Sequence, residues 1–176
     1  MLILVVGPSG AGKDTLLQGA SARLPEARFV RRVITRPADS GGEDHEPVTD
    51  AAFDQRDFAL RWEAHGLSYG IPLDIVDDLA RCRVVVANVS RGVIAEAAAR
   101  FPVHVIELTA APKILAARLV ARGREGAADV AARLGRSMSL PKNVRVTRIR
   151  NDGTVEEGVA RLMAAITHAA AGAWRS

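Results

Sequence analysis

Residues 7–15 read Gly-Pro-Ser-Gly-Ala-Gly-Lys-Asp-Thr and follow directly on the apolar run Leu2-Ile3-Leu4-Val5-Val6. No other stretch of the chain constrains its fold so tightly. A glycine loop ending in lysine, entered from a buried strand and left by a helix, is a cradle for phosphate. The glycines let backbone N–H groups converge on an anion. The helix that follows adds its positive end, and Lys13 adds a mobile cation for β and γ phosphates. Gly7, Pro8, Ser9, Gly10, Ala11, Gly12, Lys13, Asp14 and Thr15 are therefore expected to hold a nucleoside triphosphate, taken as ATP. A chance glycine turn would lack the flanking strand and helix.

The rest of the chain repeats this alternation. Short apolar runs at 29–34, 84–89, 103–108 and, more weakly, 144–149 read as buried parallel strands. Helical patterns fill the gaps at 13–24, 72–81 (Pro72 in the first turn), 90–100 (capped by Ser90), 112–123 and 154–168. Thr154 and Glu157 form a capping box for the last of these. The alternation predicts an α/β fold of three layers, a parallel sheet with helices on both faces. A length of 176 residues makes it a single domain, 1–176. The stretch 35–70 breaks the rhythm with a polar loop, a short helix and an antiparallel pair near 60–65 and 68–71. A second substrate is expected to be gripped there.

Composition excludes several classes. Apolar residues make 48% and charged residues 25% of the chain, a globular profile. One cysteine, Cys82, allows neither an internal disulfide nor a multi-cysteine metal site. No apolar run reaches the ~20 residues that cross a bilayer, and the first run lacks the basic flank of a signal segment, so a cytoplasmic protein without a membrane partner is expected. Net charge is +4, with 24 Lys and Arg, of which only Lys13, Lys113 and Lys142 are lysines. That surplus would suit nucleic acid, but two Trp, one Tyr and four Phe are too few for base stacking. Arginine forks serve phosphates on small molecules equally well.

Asp14 stands where a phosphate loop normally carries Ser or Thr to ligate magnesium. Its carboxylate is also a hard oxygen ligand, and Thr15 is the second metal candidate. The strand at 84–89 carries Asn88 where an acidic ligand is expected, so Mg²⁺ is expected to rely mainly on phosphates and water. Asp14 can alternatively serve only the helix N-terminus.

Over nearly its whole length the chain resembles the guanylate kinase family of nucleoside monophosphate kinases. The resemblance rests on the phosphate loop, Thr35-Arg36-Pro37, Tyr69-Gly70, Arg122-Gly123 and Asn151-Asp152, in family order. Within that group it is most similar to the ribose 1,5-bisphosphokinases of phosphonate degradation, through Lys13-Asp14, the run 34–39 and Asn88-Val89-Ser90-Arg91. The resemblance implies a phosphate-loop NTPase fold with a small acceptor-binding insertion at about 35–71 and an arginine-rich lid at about 122–136. It assigns Thr35, Arg36, Asp39, Asp44, His45, Tyr69, Asn88 and Ser90 to the acceptor. Asn151 goes to the adenine side, and Lys13, Arg118, Arg122 and Arg133 to the transferring phosphoryl group.

Departures from guanylate kinases are informative. A second phosphate arginine is replaced by Asp39 and a phosphate tyrosine by His45, while the guanine-reading glutamate falls at Leu60. These disfavour GMP. They favour a phosphorylated sugar, with ribose 1,5-bisphosphate converted to 5-phosphoribosyl 1-diphosphate and ATP to ADP. Bland readings stand beside these: a surface ion pair for Arg36, a solvated loop histidine for His45, turn caps for Asp39 and Asp44, a basic helix face for the lid arginines, a helix-entry turn for Asn151. Trp62 and Phe58 read as core. A kinase for a nucleotide or another small sugar is the runner-up; a silent interaction module is disfavoured by Lys13. The sequence is mute on oligomeric state.

Overall fold

The computed structural model describes residues 1–37, 43–121 and 140–173. Asp39, Arg122, Arg133 and the expected lid lie outside the described residues.

β1 (Leu2–Val6) is the centre of a five-stranded sheet and all five of its residues are fully buried. It is flanked by β7 (Val85–Asn88) and β8 (Val103–Thr109), then by β2 (Arg28–Phe29) and β9 (Arg145–Arg150), giving the order β2-β7-β1-β8-β9. Every pairing in this sheet is parallel. Because side chains alternate along a strand, β1 serves two cores. Ile3 and Val5 pack with Leu16 and Ala20 of α1 (Lys13–Ser21) and with Val159, Leu162 and Ile166 of α6 (Val155–Ala173). Leu2, Leu4 and Val6 face Ile75 of α3 (Ile75–Ala80) and Ile94 and Ala97 of α4 (Ile94–Arg100). Helices thus cover both faces, as the alternation predicts. α5 (Pro112–Ala121) completes the described helices of this part.

Between β2 and α3 the chain leaves the parallel sheet and builds a second one. Its order is β4-β3-β6-β5, from β3 (Arg32–Ile34), β4 (His45–Pro47), β5 (Phe58–Ala64) and β6 (Leu67–Pro72). β5 and β6 form the expected antiparallel pair, and β3 joins β6 antiparallel while β4 joins β3 parallel. The short helix is α2 (Asp50–Asp54), capped by Thr49, whose Oγ1 accepts from Ala52 N–H at 3.2 Å.

Four boundaries differ from the sequence reading. The run 29–34 is two strands in two sheets: Val30 still donates to Val86 O, and the chain then crosses over through Arg31. Pro72 does not open a helix; it ends β6, where a missing N–H is tolerated. Ser90 caps a 3₁₀ turn, Arg91–Val93, before α4 begins. α6 runs past His168 to Ala173, through alanines with the best helix propensity. The capping box forms as read: Thr154 Oγ1 accepts from Glu157 N–H, and Glu157 Oε2 from Thr154 N–H, both at 3.2 Å. Among the described residues no helix is long and apolar enough to cross a membrane.

Candidate active site

The phosphate loop joins β1 to α1 at the carboxyl end of the parallel sheet. Gly12 is in the left-handed region, φ 88°, and a Cβ there would meet Asn151 Nδ2 at 2.7 Å. Gly7 passes so close to β8 that a Cβ would lie 2.2 Å from Leu108 O. Lys13 Nζ donates to Gly7 O at 2.9 Å and Pro8 O at 3.1 Å, folded back on its own loop. Burial pulls this ammonium down to about 8, with Asp14 opposing the shift.

Two neighbours brace the loop. Asn151 is buried, and its Nδ2 donates to Ala11 O at 2.8 Å. A Cβ on Gly158 would meet its Oδ1 at 2.7 Å, so the amide is wedged between loop and α6. Family resemblance assigns this residue to the adenine side; both ends of its amide meet the protein. The adjacent Asp152 Oδ1 accepts from Ala111 N–H at 2.7 Å at the start of α5. That bond first, with Arg150 beside it, holds the carboxyl below the usual range. Arg118 reaches over the loop from α5, its Nη1 3.4 Å from Gly10 O.

On the other side of α1 a cleft of about 630 Å³ separates the first helix from the inserted sheet. Asp14, Thr15 and Asn88 line it from the core, and Arg31, Arg32, Arg36, Glu43 and Asp44 from the insertion. Glu43 is the hub. Its carboxylate accepts from Arg32 Nε at 2.9 Å and from Arg32 Nη2, and lies 3.5 Å from Arg36 Nη2. Arg36 Nε is buried with no partner among the described residues. Asp44 pairs with Arg31 Nε at 2.8 Å.

Other expected acceptor residues have different work. His45 is neither a solvated histidine nor an open ligand. It is buried, with Nε2 3.1 Å from Arg36 O and Nδ1 3.0 Å from Glu43 O. It ties the two charged residues' backbones together because β4 lies beside β3. Thr35 Oγ1 accepts from Ser68 N–H at 2.9 Å and fastens β3 to β6. Ser90 Oγ takes Gly92 N–H at 3.4 Å. Tyr69 is buried between Trp62, with ring centroids 5.4 Å apart, and the Arg32 guanidinium, 5.3 Å from its ring. None of these four lines the cleft. Leu60 is buried in the core with Leu4 and Ile71, so it occupies no base-reading place.

Sequence reasoning missed Arg31, Arg32 and Glu43. No local signal marked them: Arg36 lies in a bend beyond the end of β3, and Glu43 is what brings it together with Arg32.

No protein-family model matches the chain. Among solved structures, guanylate kinase from Anaplasma phagocytophilum superimposes with a TM-score of 0.67 over 96% of this chain and 85% of that one, at 17% identity. A gluconokinase from Sinorhizobium meliloti gives 0.56 at 19% identity, over 98% of this chain and 94% of that one. At such identities these show the fold, that of phosphate-loop kinases. Sequence relatives go further. Ribose 1,5-bisphosphate phosphokinase PhnN of Acidiphilium cryptum is 61% identical over 139 residues, 77% of this chain and 76% of that protein. The protein of the same name from Ruegeria is 46% identical over 94% of this chain and 90% of its own length. A bifunctional ribose 1,5-bisphosphokinase-thymidine phosphorylase of Cupriavidus necator is 50% identical over 92% of this chain, which spans only 28% of that longer protein. With this identity extending over nearly full length, the chain belongs to the ribose 1,5-bisphosphate phosphokinase family, built on the guanylate kinase-like fold.

Proposed function

We propose that the protein transfers the γ-phosphoryl group of ATP to ribose 1,5-bisphosphate, giving 5-phosphoribosyl 1-diphosphate and ADP. The carrying observation is the juxtaposition across α1 of a complete phosphate loop and a cleft lined by three arginines. An oxygen of the 1-phosphate attacks the γ phosphorus while the bond to the β–γ bridging oxygen breaks. A phosphate acceptor is already ionised near neutral pH, so no general base is needed. Catalysis then consists of positioning and charge neutralisation.

Lys13 leaves its loop carbonyls for the β and γ phosphates as the triphosphate enters. Arg118 is placed beside the loop to reach the transferring group, and Arg122 and Arg133, outside the described residues, are assigned the same task by family resemblance. Arg36, with an unmatched buried Nε and only long contacts to Glu43 and His45, is the first candidate to grip an acceptor phosphate. Arg32 and Arg31 lie beside it, and Asp44 is placed for a ribose hydroxyl. Thr35, His45 and Tyr69 act by holding these groups in register. Asp14 and Thr15 are the residues that would hold magnesium accompanying the triphosphate, and when bound it would supply neutralisation of phosphate charge.

The test is an ADP-release assay with ribose 1,5-bisphosphate, ribose 5-phosphate, GMP and gluconate as acceptors. Turnover is expected with the bisphosphate above the others. A clear preference for GMP or gluconate would replace this reading with that of another small-molecule kinase.

A further inference from the structure

Asp14 and Asn88 face each other where the phosphate loop meets the neighbouring strand. Asp14 directly follows Lys13 in α1, and Asn88 ends β7, in register with Val5 of β1. Asn88 Nδ2 donates to Asp14 Oδ1 at 2.8 Å. A carboxylate only accepts, so the amide orientation is fixed: its NH₂ serves Asp14 and its carbonyl oxygen is left to another partner. That Oδ1 is buried and has no partner among the described residues. Asn88 as a whole is 7% exposed, yet it lines the cleft. A buried acceptor without a donor is costly unless something supplies positive charge.

In phosphate-loop NTPases the metal is held by a neutral hydroxyl after the lysine and an aspartate from a neighbouring strand. Here the two chemistries stand in exchanged positions, with the carboxylate on the helix and a neutral carbonyl oxygen on the strand. The formal charge of the pair stays at one negative. All its donors are hard oxygens, which suits magnesium or manganese and not a soft metal. The orphaned oxygen and the charge count both fit a divalent cation.

We propose that Asp14 and Asn88 together are a charge-exchanged binding site for the divalent cation that accompanies the triphosphate. The proposal rests on the donor reading above and deepens it. The phosphate loop's departure from the usual Ser or Thr and the missing strand aspartate are then one compensated change, not two losses. Asn88 has two duties in it: its amide group fixes the Asp14 carboxylate, and its carbonyl oxygen faces the ion or a water the ion holds.

The experiment uses Mn²⁺ as the probe, followed by electron paramagnetic resonance with a saturating non-hydrolysable ATP analogue, on the whole protein. Asp14→Ser should weaken Mn²⁺ in the nucleotide complex by roughly tenfold or more, and Asp14→Ser with Asn88→Asp should recover at least half of that loss on a logarithmic scale. Circular dichroism and melting without metal report folding. Asp14→Asn keeps the shape and reads the charge alone if the double variant fails to fold; it too should bind Mn²⁺ roughly tenfold more weakly. Unchanged Mn²⁺ affinity in Asp14→Ser or Asp14→Asn, with only a lower melting temperature, would assign Asp14 to helix stability and overturn the proposal. A folded double variant no better than Asp14→Ser would overturn it as well. If the wild type fails to bind the analogue at all, the donor reading falls and takes this site with it; analogue binding with unaltered Mn²⁺ affinity sinks the cation site alone.

Discussion

The two sides of α1 handle phosphate by opposite means. On the loop side, anion binding is written into the backbone: glycines, a helix N-terminus and one lysine, braced by the buried Asn151 amide. On the cleft side it depends on side chains, and those side chains are already neutralised. Arg31, Arg32 and Arg36 line the cleft together with Asp14, Glu43 and Asp44, three cations against three anions. The loop has only to turn Lys13 from two neutral backbone carbonyls to an incoming phosphate, whereas the cleft must trade a charged internal partner for an external one.

The contrast is broken most severely at Lys13. Lys13→Ala should cut kcat/KM by roughly 10²–10³-fold with circular dichroism unchanged, since a neutral side chain cannot offset phosphate charge. Near-normal turnover would remove the loop from the reaction. Next comes the hub of the cleft. Glu43→Gln should lower stability by about 1–3 kcal/mol by leaving Arg32 and Arg36 without their counter-ion. Inorganic phosphate should then raise the melting temperature of the variant more than that of the wild type. Equal phosphate shifts would detach Glu43 from acceptor binding.

A pH titration separates the two sides without mutation. With Lys13 at about 8 in the free protein, triphosphate affinity should fall as pH rises above that value, by at most about tenfold per pH unit. Bound phosphate favours the charged ammonium and moves the midpoint upward. Acceptor affinity measured alongside should lack this step. Linkage gives a second readout. Between 8 and the ordinary 10.5 the unfolded chain holds a proton the folded one has lost, so the empty protein should gain stability as pH rises through that window. The smallest effect is expected at the capping box. Thr154→Ala should cost about 1 kcal/mol in a urea titration and leave the acceptor KM unchanged.

Legibility followed the same division. The phosphate loop is contiguous, so nine successive residues carry its conformation and its chemistry together. The parallel strands were equally plain, because burial on both faces produces unbroken apolar runs such as 2–6. The cleft was read only in part. Arg36 and Asp44 were found through family resemblance, but Glu43 acquires its role by reaching Arg32 and Arg36 across the β3–β4 pairing. No local pattern in residues 32–45 encodes that register. His45 was assigned to the acceptor by family resemblance, and its burial comes from a neighbouring strand that periodicity does not show. Asn151 was assigned to the adenine side through family resemblance; only the fold brings Gly12 and Gly158 against the two ends of its amide.

Arg28 bears on how such an enzyme changes over time. Its guanidinium bonds Asp78 and also Asp74, at 2.7 Å, while Arg83 reaches the other Asp78 oxygen at 2.9 Å. Arg28 opens β2, the strand from which the chain departs for the inserted sheet, and Asp74 and Asp78 are where it returns. The knot therefore closes the excursion at its base and fixes both ends of the insertion against the parallel sheet, whatever lies between them. Once the ends of a loop are held, its length and contents carry only a slowly growing entropic cost. The loops of the insertion can accordingly vary without rethreading the core, provided Ala59, Leu60 and Ile71 still pack against Leu2, Leu4 and Val6.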